Sequence, residues 1–248
     1  MIYIVFIFGV IIGSFLNVCI YRVPHGESFV FSRSRCPQCG HELKWWELIP
    51  VISFLVLKGK CSQCNSSIDW QYTFVEIFTG LIFLILYLRF GFTINFYIYL
   101  LLFSILIILS GIDIRFRIIP DIVTIPALVV GFIVSIVFSH ITYLNSILGI
   151  IAGGGSLLLI AYLSRGGMGG GDIKMMAMVG AFAGWKVALM SIFLGAFIGS
   201  INGLILIIIH DKKSVKSSLP FGPYLSFGVL ISILYYQRII EYYLDLFL

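Results

Sequence analysis

The sequence contains few charged residues. Asp, Glu, Lys and Arg together make up 11% of the 248 residues, and hydrophobic residues make up 60%. Soluble domains carry about 25% charged residues, so this scarcity excludes an ordinary soluble domain and predicts an all-α polytopic membrane protein. The net charge of +5 is small and spread along the chain, which argues against a nucleic-acid-binding protein. We therefore interpret the basic residues as topology signals.

The N-terminal apolar stretch lacks the basic residues that begin a signal peptide. We interpret residues 1–20 as a retained first transmembrane helix. A membrane span needs roughly 20 apolar residues. Eight stretches fit this requirement, and the sixth and seventh are separated only by a tight turn near Trp185 and Lys186. The predicted spans are 1–20, 74–88, 93–112, 122–139, 143–163, 173–187, 188–209 and 221–240.

The loops between these spans alternate in charge. One set carries 13 of the 16 Lys and Arg residues. The positive-inside rule places this set in the cytoplasm and both termini outside. The cytoplasmic set is Arg22, Arg33, Arg35, Lys44, Lys58, Lys60, Arg115, Arg117, Arg165, Lys174, Lys212, Lys213 and Lys216.

The one large polar loop, residues 21–73, contains two CxxC pairs. These are Cys36 with Cys39 and Cys61 with Cys64, with 21 residues between the pairs. Such pairs are typical of a tetrahedral zinc site, because each short turn presents two thiolates to one ion. In a reducing cytoplasm metal binding is favoured over disulfides. An iron–sulfur centre or free thiols remain alternatives. Four thiolates would leave no position for water, so the zinc would be structural.

Two aspartates lie at the predicted cytoplasmic ends of apolar runs. Asp113 follows Ser110-Gly111-Ile112, and Asp172 follows a run in which five of six residues are glycine. A carboxylate beside hydrocarbon is costly and therefore a candidate functional group. The run is not followed by Gly-Lys-Ser/Thr, which excludes a phosphate loop. It could be a flexible hinge, or Gly169 and Gly171 could let a substrate chain approach Asp172 closely.

Other charged residues have weaker signals. Asp121 follows Pro120 and precedes an apolar run, which favours a helix N-cap. Glu76 lies near the cytoplasmic end of the second span, where it could act functionally or pair with a loop Arg or Lys. Lys174 could tune Asp172, although snorkelling to the membrane surface is favoured. We interpret Glu47, Asp69 and Asp211 as solvated loop residues.

In order along the chain, these motifs resemble the prepilin leader peptidases, which are membrane aspartyl proteases of the GxGD class. The matching segments are Gly13-Ser14-Phe15-Leu16-Asn17-Val18, Tyr21-Arg22-Val23-Pro24, the two cysteine pairs, Ile49-Pro50-Val51-Ile52-Ser53-Phe54, Lys58-Gly59-Lys60-Cys61, Asp113 to Asp121 with Ile119-Pro120-Asp121, Gly167-Met168-Gly169-Gly170-Gly171-Asp172-Ile173-Lys174, Gly180, Gly184 with Trp185, and Pro220-Phe221-Gly222-Pro223.

The resemblance implies that Asp113 and Asp172 are the catalytic pair, with Gly169, Gly171, Lys174 and Asp121 supporting the catalytic loop. It implies cleavage of the short basic leader of prepilins or pseudopilins at the cytoplasmic face of the bacterial inner membrane. Many members also methylate the new N-terminus with S-adenosylmethionine, an activity linked to the cysteine-bearing part and to an acid matching Glu76. Residues 21–73 contain no glycine-rich adenosyl-binding motif, and Thr73 stands where many relatives have proline.

The predicted organisation is a first transmembrane helix at 1–20, a cytoplasmic tetra-Cys loop domain at 21–73 and a seven-helix protease core at 74–248. The substrates would be pilin-like proteins of type IV pili, competence fibres or secretion systems. Membrane lipid would be the other partner of the protein. Three alternatives are a GxGD protease with another substrate, a non-enzymatic zinc-anchored assembly factor and a transporter. A transporter usually has its acids near the midplane, whereas these two lie at one membrane edge.

Overall fold

A computed structural model of the protein describes residues 1–28, 34–165, 167–209 and 219–247. This part of the chain is helical, with two isolated β-bridges and no strand. Arg33, Gly166, His210, Asp211, Lys212, Lys213 and Lys216 lie outside the described residues. The helices are α1 (Ile2–Arg22), α2 (Ile52–Val56), α3 (Trp70–Phe90), α4 (Ile94–Phe116), α5 (Asp121–Phe138), α6 (Tyr143–Leu163), α7 (Gly170–Ile209) and α8 (Gly222–Phe247), and short 3₁₀ turns cover Val23–His25 and Trp45–Leu48.

The membrane class is confirmed, whereas the count of eight spans is not. Six helices in the described chain are long and apolar enough to cross a membrane. Six spans replace eight for two reasons. The predicted sixth and seventh spans fall within one continuous apolar stretch at residues 170–206, and α8 is not among the six. The polar and charged residues Gln237, Arg238 and Glu241 interrupt the apolar character of α8.

The chain turns back within α7 at Gly184, whose φ of 81° is left-handed and breaks the helix. A Cβ atom on Gly153 would touch both the Met176 carbonyl and the Ala188 side chain, so Met176 and Ala188 are neighbours. A straight helix would separate residues twelve apart by about 18 Å. The two halves of α7 therefore lie side by side, and the reversal is adjacent to the turn expected near Trp185.

The chain forms two compact units, Met1–Ile108 and Leu109–Leu248, with the boundary inside α4. In the first unit α1 packs closely on α3, and a Cβ on Gly13 would lie 2.7 Å from the Glu76 Cα. In the second unit α5, α6 and α8 pack against α7. The three segments expected from sequence, at 1–20, 21–73 and 74–248, remain predictions about organisation.

Candidate active site and metal centre

Asp113 lies in the last turns of α4, within the second unit, and is 6% exposed. Its Oδ2 accepts a hydrogen bond of 2.9 Å from the Gly222 N–H, the first residue of α8. The amino end of a helix carries partial positive charge, so this contact favours the carboxylate form of Asp113. A Cβ on Gly222 would lie 3.0 Å from the same oxygen, which explains a glycine at this position.

Asp172 lies in the first turn of α7 and is 9% exposed. Two of the glycines before it, Gly169 and Gly171, leave little room for a side chain in the protein's own packing. A Cβ on Gly169 would lie 3.0 Å from Asp172 Oδ2, and a Cβ on Gly171 would lie 2.6 Å from the Ile119 Cβ. At Gly170 a Cβ would meet nothing within 4 Å. Gly170 is therefore the position where open space adjoins the backbone.

The two aspartates belong to the same unit although 58 residues lie between them in sequence. The Asp113 carboxylate is near enough to act electrostatically on Asp172. Two helices, α5 and α6, connect α4 to α7. An even number of helices returns the chain to the starting side of the bundle, which is why the carboxyl end of α4 and the amino end of α7 can meet.

Lys174 and Asp121 form an ion pair, with 2.6 Å between Lys174 Nζ and Asp121 Oδ2. The expected N-cap role of Asp121 is wrong, because Pro120 holds the N-cap position and Asp121 begins α5. Snorkelling of Lys174 to the membrane surface was the favoured expectation, whereas in the structure its ammonium group pairs with Asp121. Both side chains are about half exposed, at 46% and 52%, so the pair contributes little stability and mainly joins the starts of α5 and α7.

The four paired cysteines converge in the first unit. Their sulfur atoms all lie within 4.8 Å of one another. The Sγ atoms of Cys36 and Cys64 are 3.9 Å apart, and those of Cys39 and Cys61 are 4.0 Å apart. A tetrahedral zinc ion with Zn–S bonds of about 2.3 Å requires sulfur separations of about 3.8 Å. The residues therefore fit one zinc ion, and the four thiols would hold it without an open coordination position.

The two CxxC turns are structural repeats. In the first, the Cys36 N–H donates to the His41 carbonyl; in the second, the Cys61 N–H donates to the Ser66 carbonyl, both at 2.9 Å. Each turn also has a left-handed residue directly after its second cysteine, Gly40 with φ 72° and Asn65 with φ 55°. Gly and Asn are the residues that adopt this conformation most readily. The local sequence therefore builds two matching half-sites.

The thiols cannot all ionise readily without a cation. Burial opposes ionisation of Cys36, but the N–H groups of Cys39 and Gln38 and the Ser66 hydroxyl lower its pKa to about 6. The His41 N–H favours the Cys39 thiolate, but desolvation and the other three thiols raise the pKa of Cys39 to about 11. A divalent ion would remove this mutual repulsion, since a bound metal deprotonates its thiol ligands.

Glu47 joins the two half-sites, and its interpretation as a solvated residue is wrong. It is 7% exposed and accepts hydrogen bonds from the Lys44 N–H at 2.7 Å and from the Ser62 hydroxyl. His41 Nε2 lies 3.3 Å from the same carboxylate. Burial opposes ionisation of Glu47, but Ser62, Lys44 and His41 prevail and lower its pKa. The position of Glu47 between the apolar residues Trp46 and Leu48 was the sequence signal that could have indicated its burial.

Glu76 is buried in the second turn of α3 and does not pair with any Lys or Arg among the described residues. Its Oε2 accepts a 2.8 Å hydrogen bond from the Val51 N–H, with the Ser14 hydroxyl as a further donor. Val51 has φ 62°, a left-handed conformation that a β-branched residue rarely adopts. Glu76 therefore holds a strained residue at the start of α2.

Comparison with known proteins gives consistent matches along the chain. Residues 7–90 match the Bacterial Peptidase A24 N-terminal domain, and residues 100–204 match the Type IV leader peptidase family. The chain is 35% identical to a "Prepilin leader peptidase/N-methyltransferase" of Bacillus subtilis, over 99% of both chains. It is 32% identical to a protein of the same name from Pseudomonas aeruginosa, over 96% of this chain and 91% of that one. No solved structure matches significantly. The chain thus belongs to the prepilin leader peptidase/N-methyltransferase family.

Proposed function

We propose that this chain cleaves the short basic leader of prepilins or pseudopilins, at the cytoplasmic face of the inner membrane, and methylates the new N-terminus. The observation that carries the peptidase half is the pair of buried carboxylates, Asp113 and Asp172, in one unit of a membrane protein. The name of the relatives, prepilin leader peptidase/N-methyltransferase, supports both halves. The non-enzymatic assembly factor is not favoured, because the relatives are named as enzymes.

Asp113 would be the ionised member of the pair, because the Gly222 N–H at the start of α8 stabilises its charge. Asp172 would be the protonated member, since two nearby carboxylates cannot easily both ionise. Asp113 would take a proton from water as the water attacks the scissile carbonyl, while Asp172 gives its proton to the carbonyl oxygen. On collapse, Asp113 would protonate the leaving nitrogen, and Asp172 would regain a proton from the diol.

The backbone at Gly170 would give the substrate chain access to Asp172, since a side chain there would meet open space. The Lys174–Asp121 pair would hold the starts of α5 and α7 in place. The hydrophobic helix of the prepilin would lie against the membrane spans and bring its leader junction to the membrane edge. The positive charge of the connecting loops supports the cytoplasmic orientation.

Methylation would use the tetra-Cys loop domain, residues 21–73. S-adenosylmethionine supplies the methyl group when bound. Structural zinc held by Cys36, Cys39, Cys61 and Cys64 would fix the two CxxC turns, because 36–67 is too small to build a core of its own. Glu76 would support this activity by holding Val51.

The test is leader cleavage by purified protein in detergent, followed by mass spectrometry. Wild type should remove the leader and, with S-adenosylmethionine, add one methyl group. Asp113→Asn and Asp172→Asn should each abolish cleavage with no change in thermal stability. Glu42→Gln, an acid-to-amide change at an exposed residue, is the matched control and should cleave normally. Normal processing by either Asn variant would remove that aspartate from the mechanism.

A further inference from the structure

An open cleft of 540 Å³ lies on the first unit, outside the aspartate site. Its walls include Phe54 and Leu55 of α2, Lys58 and Lys60 of the following turn, and Asp69 and Trp70 at the start of α3. A volume of this size is within the range of small-ligand sites. The peptidase mechanism uses none of these residues.

The cleft is built by specific backbone contacts. The Gly59 N–H donates to the Phe54 carbonyl, and the Gly59 carbonyl accepts from the Ile68 N–H, both at 2.8 Å. Gly59 has φ 70°, and a Cβ there would lie 3.0 Å from the Phe54 ring. These contacts tie the turn that carries the lysines to both neighbouring walls, so the cleft has a defined shape.

The lining combines aromatic rings with opposite charges. The Phe54 and Trp70 rings pack edge to face with their centroids 5.1 Å apart, and Trp70 is 74% exposed. Lys58 and Lys60 form no ion pair among the described residues, whereas Asp69 already accepts the Gln71 N–H and can accept further bonds. A fitting ligand has a flat ring, hydroxyl donors and an anionic group, all within a few hundred Å³.

We propose that this cleft is the S-adenosylmethionine site of the methyl-transfer activity, an inference that rests on the methylation half of the proposed function. Adenine stacks on exposed aromatic rings such as Trp70. The carboxylate of the amino-acid end pairs with Lys58 or Lys60. The ribose hydroxyls donate to Asp69, as in other adenosine sites where an acid binds the ribose. The aromatic faces also accommodate the positive sulfonium.

If the cleft binds the methyl donor, Glu76 contributes by holding a wall of the cleft in place and takes no part in proton transfer. Glu76 holds Val51, Val51 is the N-cap of α2, and α2 carries Phe54 to the cleft. Glu76 is therefore a positioning residue for one wall of the methyl-donor site.

The experiment measures binding of S-adenosylhomocysteine to full-length, zinc-loaded protein in detergent by calorimetry. Lys58→Gln and Trp70→Leu should each weaken binding by about tenfold or more, the loss expected for one stacked base or one charged contact. Lys44→Gln and Trp45→Leu are matched controls, since these residues are exposed in the same loop but outside the cleft. Zinc content is measured for every variant, so that loss of the metal is not mistaken for loss of the site.

Unchanged binding by Lys58→Gln and Trp70→Leu would place the methyl donor elsewhere and overturn the assignment. So would a change in tryptophan fluorescence on adding phosphatidylglycerol but not S-adenosylhomocysteine that is seen in wild type and lost in Trp70→Leu, since the cleft would then hold a lipid headgroup. Absence of binding by wild type would also overturn it. Leader cleavage, measured on the same preparations, reports separately whether the peptidase half of the proposed function stands.

Discussion

Asp113 and Asp172 are both buried, but their local environments differ. Asp113 accepts a hydrogen bond from the start of α8, whereas Asp172 accepts none among the described residues and lies against Gly169. Hydrogen bonds to a charged group stabilise it by about 1.5–3 kcal/mol. This difference is enough to decide which member of a close pair keeps the proton.

The first prediction concerns Gly222. A methyl group at this position would lie 3.0 Å from Asp113 Oδ2 and would displace the carboxylate from the N–H that fixes it. We expect Gly222→Ala to lower kcat for leader cleavage about tenfold to a hundredfold, equivalent to one charged hydrogen bond, with KM little changed. The measurement is steady-state cleavage of a prepilin substrate.

Gly155→Ala is the control for this experiment, because a Cβ on Gly155 in α6 meets nothing within 4 Å. The pH profile of kcat should also move in Gly222→Ala, since the charged form of Asp113 loses a donor. A Gly222→Ala enzyme with wild-type kcat and pH profile would show that this contact does not set the state of the pair.

The second prediction separates a positioning role of Glu76 from an acid–base role. A Gln side chain can still accept the Val51 N–H, whereas Ala leaves that buried donor unsatisfied at a cost of about 1–3 kcal/mol. We expect Glu76→Gln to retain most methyl transfer and S-adenosylhomocysteine binding, and Glu76→Ala to lose both. Hydrogen exchange of the Val51 amide should increase only in the Ala variant. Equal loss in both variants would mean that Glu76 takes part in proton transfer.

At the level of elements, close contact between α6 and α7 shapes the second unit. A Cβ on Gly149 would overlap the Gly180 carbonyl, and one on Gly180 would overlap the Gly149 carbonyl. Small residues at such crossings let helix backbones touch inside a membrane. The Ser146 hydroxyl and His140 ring contact the carbonyls of Ala181 and Phe182 beside the Gly184 reversal. These contacts satisfy carbonyls at the end of the first half of α7.

The third prediction tests this crossing. Gly149→Ala should destabilise the protein by about 1–3 kcal/mol through overpacking against the Gly180 carbonyl. Gly155→Ala in the same helix should be neutral or slightly stabilising, because it gains helix propensity without a clash. Thermal unfolding in detergent compares the two. Equal melting temperatures would show that α6 and α7 can separate at little cost.

At the level of the whole molecule, the chain is two compact units with different stabilising devices. Zinc and hydrogen bonds at Glu47 would hold the tetra-Cys part of the first unit, while helix packing holds the second. The two proposed activities therefore depend on different parts of the chain: methylation on the first unit and leader cleavage on the second. Zinc binding contributes on the order of 10 kcal/mol to the folding of small thiolate domains.

The fourth prediction follows from this division. Chelation of zinc, or Cys36→Ser with Cys61→Ser, should unfold residues 36–67 and abolish methyl transfer while leader cleavage is largely retained. Limited proteolysis maps the unfolded loop, and metal analysis confirms the loss of zinc. Cys19→Ser is the control, because Cys19 is not part of the cysteine cluster. Full methyl transfer by the metal-free protein would show that the loop folds without zinc.

The sequence by itself determined the membrane class, the helical secondary structure and the cysteine site, but not the number of spans. Long apolar stretches have no other stable conformation in a bilayer than a helix, and four thiols at CxxC spacing identify their own ligand chemistry. These properties are local, so they can be recognised residue by residue. Family resemblance placed Asp113 and Asp172 as candidates for the same reason, through motifs of contiguous residues.

Only the tertiary structure decided which partners these residues have. The Gly222 N–H reaches Asp113 across 109 residues, and Ser62 reaches Glu47 across 15. Asp121 pairs with Lys174 although it was expected to cap its own helix. Every non-proline residue has a backbone N–H, so the sequence does not mark which one will meet a carboxylate. That choice is made by packing, which brings the start of α8 to Asp113 and buries both.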